Sequence, residues 1–350
     1  MIDTGPRSAH GAPERADTHC IRCGNACAIT LETRDGDLVR IRPTNGEPDA
    51  LADACCAQCP ACCPGHDRPE VAVDQKLPFQ MMYFTSGYDR NRILVSLSPT
   101  LTVEEIYMVA ESARAHSHAL YSFTLAADLE KIDLLAAHGI PASGASASHD
   151  SYETVYYFGA CRGIAAAATL RRLVDASPQR ALMCADAIPA PYLAGASLGS
   201  DEALLAHLIA HDTPSTLVAF TLQDISTAAL APLADYIAAR QAGGLAILHA
   251  SVNYHYLRNL IPDLRATRDR IAEGHYHLLT CVNESDRLVS GPFEEMIVFT
   301  DTVSHLNAKY IIPIDAPCEK AGTVIDQFGA YKSVRGPLRR RGYPLELFFS

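Results

Sequence analysis

The chain has 350 residues, a formal net charge of −11 with histidines neutral, 12 cysteines, 14 histidines and no tryptophan. That balance gives a duplex nucleic-acid surface no global electrostatic support and suits a basic protein partner better. The first twenty residues lack an apolar core or a twin-arginine pair, and no run nears the roughly 18 apolar residues of a membrane span, so the sequence predicts a cytoplasmic protein with no direct membrane insertion.

The cysteines come early in the chain. Eight of the twelve fall between Cys20 and Cys63, which marks residues 1–70 as a separate chemical unit. In a reducing compartment such density points to metal or redox chemistry rather than disulfides. Cys20, Cys23 and Cys27 form a C-x2-C-x3-C run that puts three soft thiolates on one tight loop, a donor set suited to an iron-sulfur cluster or zinc. Gly24 relaxes the backbone between the second and third sulfurs. Residues 28–34 and 37–42 then read as two strands joined by a type I′ turn at Asp35-Gly36, a hairpin that returns the chain with a further ligand.

That return is the run Cys55-Cys56-Ala-Gln-Cys59-Pro-Ala-Cys62-Cys63. It holds more thiols than one cluster needs, so the fourth ligand stays open, with Cys55 and Cys62 as the leading candidates. A zinc site from Cys20/Cys23 and Cys59/Cys62 is the competing reading, although it leaves Cys27 without a role.

After Pro69 short apolar runs alternate with helix-period runs, the texture of βα repeats and a mainly parallel sheet. Strands are expected at Arg92–Leu97, Ala119–Phe123, Thr154–Phe158, Arg180–Cys184, Thr216–Thr221, Leu245–Ala250, Tyr276–Val282, Met296–Thr300 and Tyr310–Ile314. Crossover helices are expected at Val103–Ala115, Ala160–Val174, Asp201–Ala210, Thr227–Gln241 and Tyr254–Glu273. The fold class is therefore α/β: a doubly wound, mainly parallel body over residues 71–350, with a subdivision near 188–199, behind a small cysteine-rich lobe.

Among the remaining cysteines, Cys161 sits where a strand passes into a helix, a place where α/β folds put ligands. Cys184 and Cys281 lie in apolar strands and read as core. His275/His277 and His116/His118 lack ligand geometry. No G-x-G-x-x-G or P-loop occurs, which disfavours direct NAD(P)H oxidation.

The cysteine run with its hairpin, Thr18-His-Cys20 through Cys27-Ala-Ile-Thr-Leu and then DGDLVRIRP, resembles the N-terminal iron-sulfur domain of molybdopterin oxidoreductases, the family of formate dehydrogenases, nitrate reductases and the large subunit of respiratory complex I. Two further islands resemble it. One runs from Arg92 through Thr102, Glu104, Glu105 and Tyr107; the other runs from Ile297 through Asp301, Pro313, Glu319, Gly322 and Thr323. The resemblance implies a [4Fe-4S] cluster and a molybdopterin carrying Mo or W; Cys161 is the candidate protein ligand to that metal, but it stands later than the family's metal-binding Cys, and a small core-packing cysteine is the preferred reading of it.

Departures from the family pattern point to a reduced member that keeps the cluster and the α/β scaffold and has shed its own pterin site with the molybdenum or tungsten. Few residues follow Gly336 to build the family's C-terminal barrel, Ala57 or Pro64 stands where a basic residue usually follows the fourth cysteine, and Asp326 and Phe328-Gly329-Ala330 replace an Asn and an acidic-Gly-Arg triplet. Asp301 and Asp315, at the family's nucleotide-contacting edge, then read as turn and capping residues. The expected role is an electron-transfer subunit whose partners carry flavin or iron-sulfur clusters. Alternatives are a Mo/W enzyme subunit of formate or formylmethanofuran dehydrogenase type and a zinc-stabilised assembly protein.

Overall fold

The computed structural model describes residues 13–21, 24–34, 37–44, 87–141, 152–160, 164–174, 181–186, 195–240, 243–261, 263–302, 304, 306–317, 319–336 and 342–349. Cys23, Cys55, Cys62, Cys161 and the turn at Asp35-Gly36 lie outside them.

Two five-stranded parallel sheets, each wound with helices, make up the body, as the α/β texture predicts. The first begins with β4 (Ile93–Leu97), α1 (Val103–Ala115) and β5 (Ala119–Tyr121), and α2 (Phe123–Ala126) and α3 (Leu129–Ala137) follow. The chain then builds the whole second sheet before returning. That sheet comprises β6 (Thr154–Phe158), α4 (Ile164–Val174), β7 (Ala181–Cys184), β8 (Ala196–Ser197), α5 (Asp201–His211), β9 (Thr216–Thr221), α6 (Thr227–Ala239) and β10 (Gly244–Leu248). Helices α7 (Tyr254–Leu260) and α8 (Leu264–Ala272) lead back to β11 (Leu278–Val282), β12 (Glu295–Thr300) and β13 (Tyr310–Pro313), which complete the first sheet.

The first sheet has the order β13-β12-β11-β4-β5 and the second β10-β9-β6-β7-β8. In each, the winding reverses beside the strand laid down first: between β4 and β11 in one, between β6 and β9 in the other. Ligands of open α/β sheets bind outside the carboxyl ends of strands at such reversals.

Period-two side-chain alternation explains why the second sheet takes helices on both faces. Val155, Tyr157, Leu217, Ala219, Ala246 and Leu248 pack with Leu170 and Leu173 of α4. Their neighbours Tyr156, Phe158, Val218, Phe220 and Ile247 pack with α5, α6 and also α3. Burying each large aliphatic or aromatic side chain contributes about 1.5–3 kcal/mol, so a strand buried at all six positions, as β9 is, is set by the core rather than by its turns.

At the N-terminus β1 (Glu14–His19), β2 (Ala28–Arg34) and β3 (Asp37–Pro43) form an antiparallel sheet. A separate hairpin, β14 (Ala321–Ile325) with β15 (Tyr331–Arg335), lies alongside it. The Arg335 amide donates to Thr18 Oγ1 at 2.7 Å and His19 Nδ1 bonds the Ser333 carbonyl at 2.7 Å. A terminal helix, α9 (Glu346–Phe349), packs Phe348 and Phe349 against Phe299.

Two expected helices need correction. The predicted Tyr254–Glu273 helix is two helices, because Ile261 before Pro262 is driven out of the helical region, at φ −119° and ψ 75°. The predicted Ala160–Val174 helix does not include Ala160, which follows Gly159 at φ +95°, and is described over Ile164–Val174. Among the described residues no helix is long and apolar enough to cross a membrane.

The second and third islands of family-like residues dock on each other. Thr102 and Glu105 form a reciprocal capping box that starts α1. Glu105 also receives Lys320 Nζ at 2.9 Å, with only 4% and 13% of the two side chains exposed. Glu104 accepts the Thr323 amide at 2.8 Å, and Gly322 lies where a Cβ would stand 2.8 Å from both Glu104 Oε2 and Thr102 Cβ. The glycine thus allows the hairpin to approach the helix start.

Candidate functional site: the cysteine loop and the sheet edges

Of the predicted metal ligands, Cys20 and Cys27 are described. They stand at the two ends of one loop, and the Cys20 amide donates to the Cys27 carbonyl at 2.9 Å, so the loop is closed on itself. Both residues are half-buried. Between them Ala26 takes φ +43°, a left-handed turn that costs an L-residue about 1 kcal/mol and is held by its burial with Ile21, Val252, Val324 and Val334.

The loop is fastened to the body at the carboxyl end of the second sheet. Past the end of β10, the Ala250 carbonyl accepts the Gly24 amide at 2.7 Å, and the Gly24 carbonyl accepts the Gln327 amide at 2.7 Å. A Cβ on Gly24 would overlap the His249 carbonyl oxygen and stand 3.1 Å from Gln327 Cβ. Glycine is needed here for close approach, beyond the flexibility that the sequence suggests.

Asn25 is buried, and its side chain bonds Thr169 Oγ1 of α4 at 3.1 Å and Gln327 Nε2 at 2.6 Å. Arg172 of α4 donates to the Asn25 carbonyl at 2.9 Å and to Asp326 at 3.0 Å. Sequence reasoning missed Asn25, Thr169, Arg172 and Gln327 as partners of the loop. Thr169 and Arg172 lie in one distant stretch and Gln327 in another, and no local pattern in either links it to the loop.

The edges of the two sheets meet next to this loop. Asn253, at φ 54°, donates its side-chain amide to the Pro99 and Leu101 carbonyls beyond β4, at 3.2 and 2.6 Å, and accepts the Ile325 amide at 2.6 Å. Gln223, beyond β9, accepts the Ala250 amide and bonds Asp128 at the start of α3. Burial raises the Asp128 carboxyl above its ordinary range, against the lowering effect of its bonds to Tyr254 and Gln223.

His249 is fully buried here, with its ring stacked 3.8 Å from that of Tyr254 and edge-on to His255 at 4.4 Å. Neither of its ring nitrogens has a hydrogen-bond partner among the described residues. Burial, with His255 and Arg258 nearby, holds it well below its ordinary pKa and therefore neutral.

At the first sheet's reversal Glu284 is a carboxyl with every oxygen engaged. Ser96, Ser122 and Thr124 hydroxyls and the Phe123 and Thr124 amides donate to it, at 2.6–3.3 Å. Burial raises its pKa. Glu284 knits β11 to β4 and to the turn after β5. At the second sheet's reversal the chain comes close to itself: a Cβ on Gly159 would stand 2.9 Å from Asp224 and Ile225 backbone atoms, and the Ala160 amide donates to the Asp224 carbonyl at 3.2 Å.

Asp301 and Asp315 are buried just beyond β12 and β13. No helix among the described residues follows directly on either, and Asp301 exchanges bonds with Asn283. Cys184 and Cys281 are core, as expected, and burial raises the Cys281 thiol pKa. His118 is lowered to about 4, chiefly by burial and then by the stacked His116 ring. Among the described residues no three His, Cys, Asp or Glu side chains converge as a metal-holding group.

No family model matches the chain, and no curated protein does. Among solved structures it is similar to one titled as the formyltransferase/hydrolase complex (FhcABCD) from Methylorubrum extorquens in complex with methylofuran. The identity is 13% over 70% of this chain and 87% of that one, with a TM-score of 0.45. At that level the likeness carries no functional weight.

Proposed function

We propose that this chain is an iron-sulfur electron-transfer subunit of a cytoplasmic redox complex. The observation that carries the reading is the closed Cys20–Cys27 loop, because the 2.9 Å backbone bond sets the first and third cysteines of C-x2-C-x3-C at one end of a single turn. The donor set fits the group: thiolates are soft ligands, and both described cysteines are half-buried.

Cys20, Cys23 and Cys27 would hold a [4Fe-4S] cluster, with Cys55 or Cys62 as the fourth ligand. Bound there, it supplies one-electron storage. The chain's own residues do the positioning. Gly24 seats the loop against His249 and Ala250, Gln327 and Thr169 hold Asn25, and Asn253 ties this edge to the loop beyond β4. A flavin-bearing or cluster-bearing partner would provide and take the electrons, and the net charge of −11 favours a basic docking face on it.

The test is anaerobic purification with iron and sulfide determination, then EPR of the dithionite-reduced protein. Expected are near-stoichiometric four-iron content and a reduced-cluster signal. Protein with zinc in place of iron, or with no metal, would refute the reading.

A further inference from the structure

Resting on the iron-sulfur reading, we propose that Arg172, through its ion pair with Asp326, sets the reduction potential of the cluster held by the Cys20–Cys27 loop. Three attachments fix the guanidinium. Nη1 donates to the Asn25 carbonyl at 2.9 Å, Nη2 donates to Asp326 Oδ2 at 3.0 Å, and the group lies 4.2 Å over the Phe328 ring. A planar fork used this way loses its freedom to follow solvent.

Asp326 is equally constrained, since its side chain is fully buried and its other oxygen accepts the Phe328 and Ala330 amides at 2.9 Å each. The pair is electrically lopsided. Arg172 is 36% exposed and partly screened by water, whereas the anion it neutralises is not. Asn25, whose carbonyl receives the arginine, lies between Cys23 and Cys27 and is locked by Gln327 and Thr169. The charge is thus held in place on the loop itself.

Taking up an electron from a partner flavin or cluster adds one negative charge to the cluster. A cation bonded to the loop favours that state and an unneutralised carboxylate opposes it. Arg172 and Asp326 come from α4 and the β14–β15 hairpin, so this tuning is lent to the loop by the body.

The experiment is an EPR-monitored redox titration of the anaerobically purified full chain with Arg172→Gln, Arg172→Lys, Asp326→Asn and the double Arg172→Gln/Asp326→Asn variant. Iron content and thermal melting of each variant are followed in parallel. Expected are a negative shift of midpoint for Arg172→Gln, a positive shift for Asp326→Asn, a return towards wild type in the double variant, and a smaller shift for Arg172→Lys. If Arg172→Gln fails to fold, the sign of the Asp326→Asn shift decides alone. Variants that carry the wild-type iron content at an unchanged midpoint overturn the proposal and leave the iron-sulfur reading standing. Wild-type protein without iron overturns both.

Discussion

Gly24→Ala is the sharpest probe of how the cysteine loop is mounted. The added methyl group would overlap the His249 carbonyl oxygen, and the Gln327 Cβ and Ala250 carbonyl carbon, 3.1 and 3.3 Å away, leave no side to move towards. The loop must lift, which lengthens two backbone bonds of 2.7 Å, Gly24 to Ala250 and Gln327 to Gly24. Each is worth about 0.5–1.5 kcal/mol net, so the loss is about 1–3 kcal/mol. Reduced freedom of the unfolded chain returns about 0.4–1 kcal/mol of this, and a net destabilisation of about 1–2 kcal/mol remains. Urea denaturation of the iron-free protein reads that loss directly, and iron content per chain after anaerobic purification reads its consequence for the cysteines. An unchanged midpoint together with unchanged iron would refute the claim that the loop is pressed onto His249 and Ala250, just past the end of β10.

Lys320→Met leaves Glu105 without its cation in a site where both partners are largely buried, and should cost about 3 kcal/mol in equilibrium denaturation, whereas a surface pair would cost almost nothing. Asn253→Ala removes three buried bonds and puts alanine at φ 54°; a loss of about 3 kcal/mol is expected, with Asn253→Gly milder because the backbone strain is relieved. Burial raises the Asp224 carboxyl, with Tyr157 and Lys131 opposing it, so the folded state holds its proton longer than the unfolded chain does. Stability from this group is present below the ordinary Asp range and lost as pH rises through the raised value. The melting temperature of Asp224→Asn should therefore gain on wild type over that rise, and a difference flat with pH would count against it.

Local signals in the sequence were enough for elements whose cause is local. Thr102 with Glu105 is a complete capping box, and α1 runs Val103–Ala115 as expected; β6 and β9, with apolar residues on both faces, keep the predicted bounds Thr154–Phe158 and Thr216–Thr221. β1 went unread because Glu14–His19 has one buried residue and is held through backbone pairing with β2. The β14–β15 hairpin was missed although Asp326 organises its turn by accepting the Phe328 and Ala330 amides. The fastening of the cysteine loop was illegible for a different reason. Asn25, Thr169 and Gln327 come from three distant stretches, and nothing in any one of them names the others. The division of the parallel strands between two sheets is likewise a choice among pairings that periodicity treats alike.

The nesting of one sheet inside the other imposes an order on assembly. Ile93 finds its parallel partner only when Leu278 arrives, whereas β6, β7, β9 and β10 pair within a single continuous stretch. Pairing across long separations is slow, and a chain emerging N-terminus first leaves early strands waiting. During synthesis the apolar edge of β4, buried at every position in the finished molecule, stays open until the inner unit has been made. Protection of that nascent edge, by chaperone or by transient cover from the inner unit, becomes a condition of reaching the native state at all.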